Sequence, residues 1–157
     1  NLVDADGYYF THFLQDKAKT AYGGAELKYG YKDWFDASLK GTFYSWKTDN
    51  ENEELYLMTK PKFELNFYAE AKVFEGLKVY LGYEYVQRKE YVIEEGNSSK
   101  DFGLGNISNL SVGASYTFLK DLSVFGRVNN LLNKQYYYEY GYPAEKLNVL
   151  AGLSLAF

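Results

Sequence analysis

Long runs in which every second side chain is apolar dominate this chain, and a period of two means β-strands with one apolar face. The clearest run lies between Pro61 and Arg88. Phe63, Leu65, Phe67, Ala69, Ala71 and Val73 alternate with Lys62, Glu64, Asn66, Tyr68, Glu70 and Lys72. Phe74-Glu75-Gly76 then makes a tight connection, with glycine where a positive φ is expected. The return strand sets Leu77, Val79, Leu81, Tyr83 and Tyr85 against Lys78, Tyr80, Gly82, Glu84 and Val86. The same pattern predicts strands over 21–31, 35–45, 108–118, 122–128 and 147–157. The last sets Leu147, Val149, Ala151, Leu153, Leu155 and Phe157 on one side. The stretch 8–14 reads as a further strand of ambiguous phase, making about eight in all.

Strand length carries the next step. Strands in water-soluble proteins usually run to about 5–6 residues, whereas about ten tilted residues cross the hydrocarbon layer of a bilayer. The connections alternate in the same sense. Those at 32–33, 74–76 and 119–121 are short, while 47–57, 92–106 and 130–145 are long and polar or tyrosine-rich. Outer-membrane barrels have short periplasmic turns and longer external loops. The predicted fold is therefore all-β, an antiparallel up-and-down transmembrane β-barrel, with 1–157 as a single barrel segment. Apolar faces look outward at lipid and charged faces line a wet lumen. Tyr29, Tyr31, Trp34, Phe35, Phe74, Phe118 and Phe157 are expected to form a girdle near the short turns. Tyr44, Trp46, Tyr85 and Tyr91 are expected near the opposite rim.

Composition agrees and excludes several classes. Hydrophobic residues make up 46% of the chain and mean hydropathy is −0.43, which a barrel reaches because its strands show only half their side chains to lipid. Aromatics reach 20%, led by 18 Tyr, a residue suited to an interface wet on one side and apolar on the other. A net charge of −4 argues against nucleic acid as a partner. Without cysteine there is neither a disulfide framework nor thiolate metal chemistry. No apolar run is long enough for a membrane helix, and the opening residues NLVDADGYYF have no signal-peptide character.

The stretch 122–157 carries ordered punctuation: Val128, Asn130, Leu131, Asn133, Lys134 and Tyr136 or Tyr137, then Gly141, Tyr142 and Pro143, then Gly152, Leu155 and Phe157. This resembles the C-terminal end of TonB-dependent outer-membrane receptors, over about 35 residues. Glu145-Lys146 stands where that family commonly has Gly-Arg. Leu150 stands where the terminal signal for the barrel-assembly machinery usually has a polar residue, so that signal rests on Gly152, Leu155 and Phe157. The resemblance implies a barrel of 22 strands, a plug domain and a TonB-contacting segment, neither of which fits in this chain. It implies a C-terminal portion of a receptor in the bacterial outer membrane. Its partners would be the lipid bilayer, the assembly machinery and the missing plug and strands, with TonB reached only through that missing part.

Chemistry finds little footing, and neither catalysis nor a cofactor is expected. His12 has no partner motif. Asp49, Glu51, Glu53 and Glu54 read as a solvated acidic loop, although a cation site is an alternative. Gly103-Leu104-Gly105 is a loop pair with no helix behind it to cradle phosphate. The candidate ligand-facing feature is the loop carrying Tyr137, Tyr138, Tyr140 and Tyr142, whose rings could stack on sugars or chelated siderophores or instead simply pack the loop. Asn129 to Asn133 could form a single helical turn. Two other architectures stay open: a complete eight-stranded outer-membrane barrel with a structural or adhesive role, and a soluble lipocalin-like barrel with its apolar residues turned inward.

Overall fold

The two-residue period builds one antiparallel sheet. The computed structural model describes residues 2–3, 9–10, 17–48, 57–89, 91–95, 98–102, 104–119, 122–139 and 142–155, with backbone alone for 2–3, 9–10, 91–95, 98–102 and 139. In chain order the strands are β1 (Leu2–Val3), β2 (Tyr9–Phe10), β3 (Ala18–Tyr31), β4 (Phe35–Thr48), β5 (Pro61–Phe74), β6 (Leu77–Arg88), β7 (Tyr91–Glu95), β8 (Ser98–Phe102), β9 (Ile107–Leu119), β10 (Leu122–Asn129), β11 (Tyr137–Glu139), β12 (Tyr142–Pro143) and β13 (Asn148–Leu155). Seven of them form an up-and-down meander in the order β13-β10-β9-β6-β5-β4-β3. Three further two-stranded ribbons are β1-β2, β7-β8 and β11-β12.

The expected strands are present, and several run longer than the sequence suggested. β3, β4 and β5 have 14 residues each and β9 has 13, more than twice the usual length. About eight strands were expected, and the described sheet has seven. Of the stretch 8–14, only Tyr9–Phe10 is described as strand, and it pairs with β1 rather than with the sheet. The connection over 92–106 is not wholly irregular, because β7 and β8 pair within it. Gly76 has φ 85°, as its turn requires, and a side chain there would strike the Thr117 carbonyl of the neighbouring strand.

Register joins the separate alternations into two faces. One row runs Leu27, Leu39, Phe67, Tyr83 and Leu110 across five strands. The adjacent row, on the opposite face, runs Glu26, Lys40, Asn66, Glu84 and Asn109. At the other edge Tyr116, Val124 and Leu153 continue the apolar side. A slip of one residue between any two strands would set apolar-face residues against polar-face ones, and between β3, β4, β5 and β6 would set leucines against carboxylates or lysines. Ser108 is a polar residue on the apolar face, and its hydroxyl lies 3.1 Å from that of Tyr83.

Enclosure falls on the polar side. Thr42 and Ser111, on the polar face, are 8% exposed, whereas Leu27, Phe43 and Leu153 on the apolar face are 70%, 66% and 73% exposed. No second layer covers the apolar face among the described residues. Rings crowd both of its ends. At the short-turn end Tyr31 meets Trp34 at 5.8 Å, Trp34 meets Phe35 at 5.8 Å and Phe74 meets Tyr116 at 5.9 Å. At the long-connection end Phe43 packs on Phe63 at 4.5 Å, and Phe63 on Tyr85 at 6.4 Å. Tyr44 and Trp46 lie at that end too, but on the polar face. There Tyr44 donates to Glu64 at 2.8 Å and Trp46 donates to the Pro61 carbonyl at 2.7 Å. The second apolar band is therefore Phe43, Phe63 and Tyr85. From Phe63 to Phe74 a strand rising about 3.3 Å per residue advances about 36 Å. Tilted by about 40°, that gives a height of about 28 Å, close to the roughly 25 Å apolar belt of outer-membrane barrels.

The sheet is open. Its edges, β3 and β13, do not pair with each other among the described residues. Both run from the long-connection end toward the short turns, because an odd number of antiparallel strands returns to its starting direction. Joining them directly would make a parallel seam.

Candidate functional site

The long-connection end of the polar face is where the chain builds more than a wall. Two positions there break the polar pattern. Val86 and Ile107 face each other across β6 and β9 at sites where neighbouring rows carry charges or amides. Ile107 is 1% exposed, and Tyr136 packs on the pair with Ala144 against the cluster. The segment between β10 and β13 thus folds over the polar face and shields an apolar spot there.

Local sequence explains how it turns back. Asn130 and Asn133 have φ of 49° and 51°, a left-handed conformation that asparagine tolerates better than most residues. The expected helical turn over 129–133 is therefore replaced by a turn of left-handed asparagines. The Asn130 side chain donates from Nδ2 to the carbonyls of Lys134 at 2.8 Å and Glu145 at 3.1 Å, and its Oδ1 accepts from the Lys134 amide at 3.2 Å. Its backbone N–H donates to Oδ1 of Asn109 at 3.1 Å. Asn133 Oδ1 accepts from the Leu147 amide at 3.2 Å, and Asn129 donates to Asn148 at 2.9 Å. The asparagines of the motif tie both arms of the segment to each other and to the wall.

Between those arms, β11 and β12 form the tyrosine ribbon. Tyr136, not singled out by the sequence as a site residue, is its buried anchor and meets the Tyr138 ring edge-on at 5.5 Å. Tyr138 is half exposed and donates its hydroxyl to Glu84 at 3.3 Å. Burial, then the neighbouring Glu84 carboxylate, pushes the Tyr138 hydroxyl above the ordinary tyrosine value. Tyr137 contributes its carbonyl to a hydrogen bond from the Arg88 guanidinium. Tyr142 is among the most exposed rings of the molecule. Tyr140 lies outside the described residues. Tyr137, Tyr138 and Tyr142 are therefore brought onto one short ribbon, with Tyr138 and Tyr142 presented to solvent.

Below the ribbon the polar face holds a depression of about 330 Å³ bordered by Glu26, Lys40, Asn66, Glu84, Asn109 and Arg127. Lys78 pairs with Glu70 across strands at 3.3 Å, and Lys28 pairs with Glu26 along its own strand at 3.4 Å. These partly exposed pairs stabilise little. They leave a surface of mixed sign, suited to hydrogen bonding rather than to acid–base work. Among the described residues no three acidic or histidine side chains converge as metal ligands would. His12, Asp49, Glu51, Glu53, Glu54 and Gly103 lie outside the described residues.

The candidate assembly residues have clear places in β13. Gly152 faces the polar side beneath the Phe125 ring, and a methyl group there would come within 2.6 Å of a ring carbon. Leu155 is exposed on the apolar face opposite Leu122. Phe157 lies outside the described residues. Gly113 receives the Tyr80 ring in the same way, so two glycines seat aromatic rings on the polar face. The sequence hint for the ribbon's anchor was the pair Val86 and Ile107, apolar where the period called for polar residues. Compared with known protein families and with curated proteins, the chain matches none.

Proposed function

We propose that this chain forms part of the wall of a bacterial outer-membrane barrel of the TonB-dependent receptor kind, with its apolar face on lipid and its polar face lining a substrate-uptake path. One observation carries the membrane part. Seven strands hold their apolar faces in one continuous register, uncovered and flanked by rings at both ends, while the enclosed side is the polar one. Fully burying one leucine or phenylalanine is worth roughly 1.5–3 kcal/mol, so a row of exposed ones calls for an apolar surrounding. The receptor part rests on the motif from Val128 to Phe157. The parity of the sheet supports further strands. An odd number of them would close it antiparallel, which spares backbone groups in lipid that would otherwise go unpaired at several kcal/mol each. One added strand gives the small eight-stranded barrel, and a larger odd number gives a receptor-sized wall.

The two tryptophans make the test. Trp34 lies in the ring cluster at the short turns and Trp46 on the polar face. In vesicles containing brominated lipid, Trp34 fluorescence in a Trp46→Phe protein is expected to be quenched several-fold. Trp46 in a Trp34→Phe protein is expected to be little affected. Equal quenching of both, or a protein that alkaline carbonate washes off the vesicles, would sink the membrane reading.

A further inference from the structure

We infer that the two arms 130–139 and 142–146 form a fixed hood over the polar face, locked by the Asn130 side chain, rather than a loop that swings free of the wall. The inference does not depend on the membrane reading. It rests on one buried amide and the atoms it joins.

Asn130 is 1% exposed, and its carboxamide uses both ends. Nδ2 bridges the carbonyl of Lys134, on the outgoing arm, and that of Glu145, on the returning arm. Oδ1 holds the Lys134 amide. A single side chain thus closes the segment into a ring at its base. The Asn130 N–H to Asn109 and the Leu131 N–H to the Leu110 carbonyl at 2.8 Å fasten that base to β9. Higher up, the Ala144 N–H donates to the Tyr136 carbonyl at 2.9 Å, and Tyr136 fills the apolar spot over Val86 and Ile107. Arg88 and Glu84 of β6 take the far side through Tyr137 and Tyr138. The attachments fall on β6 and β9 together, which leaves no single hinge about which the segment could lift.

Only an amide fits this role. Aspartate offers no donor for the two carbonyls and would bury a charge beside them. Alanine loses every side-chain bond and is also strained at φ 49°. Glycine accepts that φ and loses only the side chain, so Asn130→Gly separates the clasp from the backbone bend. A hood of this kind holds the exposed Tyr138 and Tyr142 rings in fixed places above the polar face.

The test uses the full chain in detergent micelles or vesicles. In the unmodified protein the amides of Lys134, Ala144 and Leu147 are expected to exchange with deuterium at least a hundredfold more slowly than free chain. Exchange at the free-chain rate would overturn the hood. Asn130→Gly is expected to raise chymotrypsin cleavage after Tyr138 more than tenfold, while deuterium exchange of the β4 and β5 amides, a property of the wall, stays unchanged. Asn133→Gly, which removes one bond to Leu147, is expected to give a smaller rise. Unchanged cleavage in a folded Asn130→Gly protein would overturn the clasp. Should that variant fail to assemble, the exchange rates of the unmodified protein decide alone.

Discussion

The β3 edge and the corner where β6, β9 and the tyrosine ribbon meet belong to one sheet and are stabilised differently. Every residue of β3 is exposed, and the strand is held by backbone pairing to β4 on one side. The corner contains Ile107 and Asn130, each 1% exposed, under a segment that supplies its own anchor. One region can settle from within the chain. The other exposes leucine and tyrosine along an edge that, among the described residues, pairs on one side only; on the proposed reading lipid and a further strand would cover it. The difference separates a corner packed from within from an edge whose cover must come from elsewhere.

The largest expected effect tests the self-sufficient corner. Ile107→Ala opens a cavity against Val86 and Tyr136 and should destabilise the folded state by about 2–5 kcal/mol. Urea unfolding from micelles measures it. A cost well under 1 kcal/mol would mean that the corner is not a packed unit, and the comparison would lose one side.

The β3 edge is tested by a charge. Leu27 sits in the middle row of the apolar face. Leu27→Arg should cost about 2–4 kcal/mol if that row lies near the bilayer midplane, and within about 0.5 kcal/mol if water already covers it. The fraction of folded protein after assembly into vesicles reads this. A neutral outcome would leave the edge comparison standing but remove lipid from its explanation.

Gly152 comes next, because it divides two explanations. As the seat of the Phe125 ring it should resist a methyl group, so Gly152→Ala should cost about 1–3 kcal/mol through overpacking. Phe125→Ala in the same chain should then recover most of the loss attributable to Gly152→Ala. If assembly yield stays low in the double variant, the glycine is needed by the assembly machinery rather than by the ring.

Much of the wall was legible because a two-residue period is a local property that pairing preserves. The alternations from Phe63 to Val73, Leu77 to Tyr85 and Leu147 to Leu155 all land on one face. The two-residue period also sets Tyr44 and Trp46 in phase with Lys40 and Thr42, opposite Phe43. The hydrogen bonds to Glu64 and Pro61 agree with that phase, and the expectation of an outer band that included these two rings weighed residue type over phase. The ribbon was less legible still. Tyrosines in a loop announce a surface, but their display depends on Tyr136 meeting Val86 and Ile107, some fifty and thirty positions away. The asparagine turn was misread as helical because φ near 50° leaves no periodic trace.

The smallest expected effect concerns the contact that ties the ribbon to the wall. Tyr138→Phe removes one hydroxyl from a half-exposed site and should loosen the ribbon by about 1 kcal/mol, the usual net worth of a hydrogen bond. It should speed exchange of the Ala144 amide and leave the wall unchanged. pH provides a reversible version of the same change. The folded hydroxyl titrates above the ordinary tyrosine value of 10.0, so an opened ribbon gives up its proton first. The contribution is therefore complete below pH 10 and is lost as pH rises from there toward the folded value. Protection of Ala144, its exchange rate relative to free chain at the same pH, should fall over that interval in the unmodified protein and much less in Tyr138→Phe. An equal loss of protection in both would place the pH sensitivity elsewhere and reduce the Tyr138–Glu84 contact to a neighbour without a hold on the ribbon.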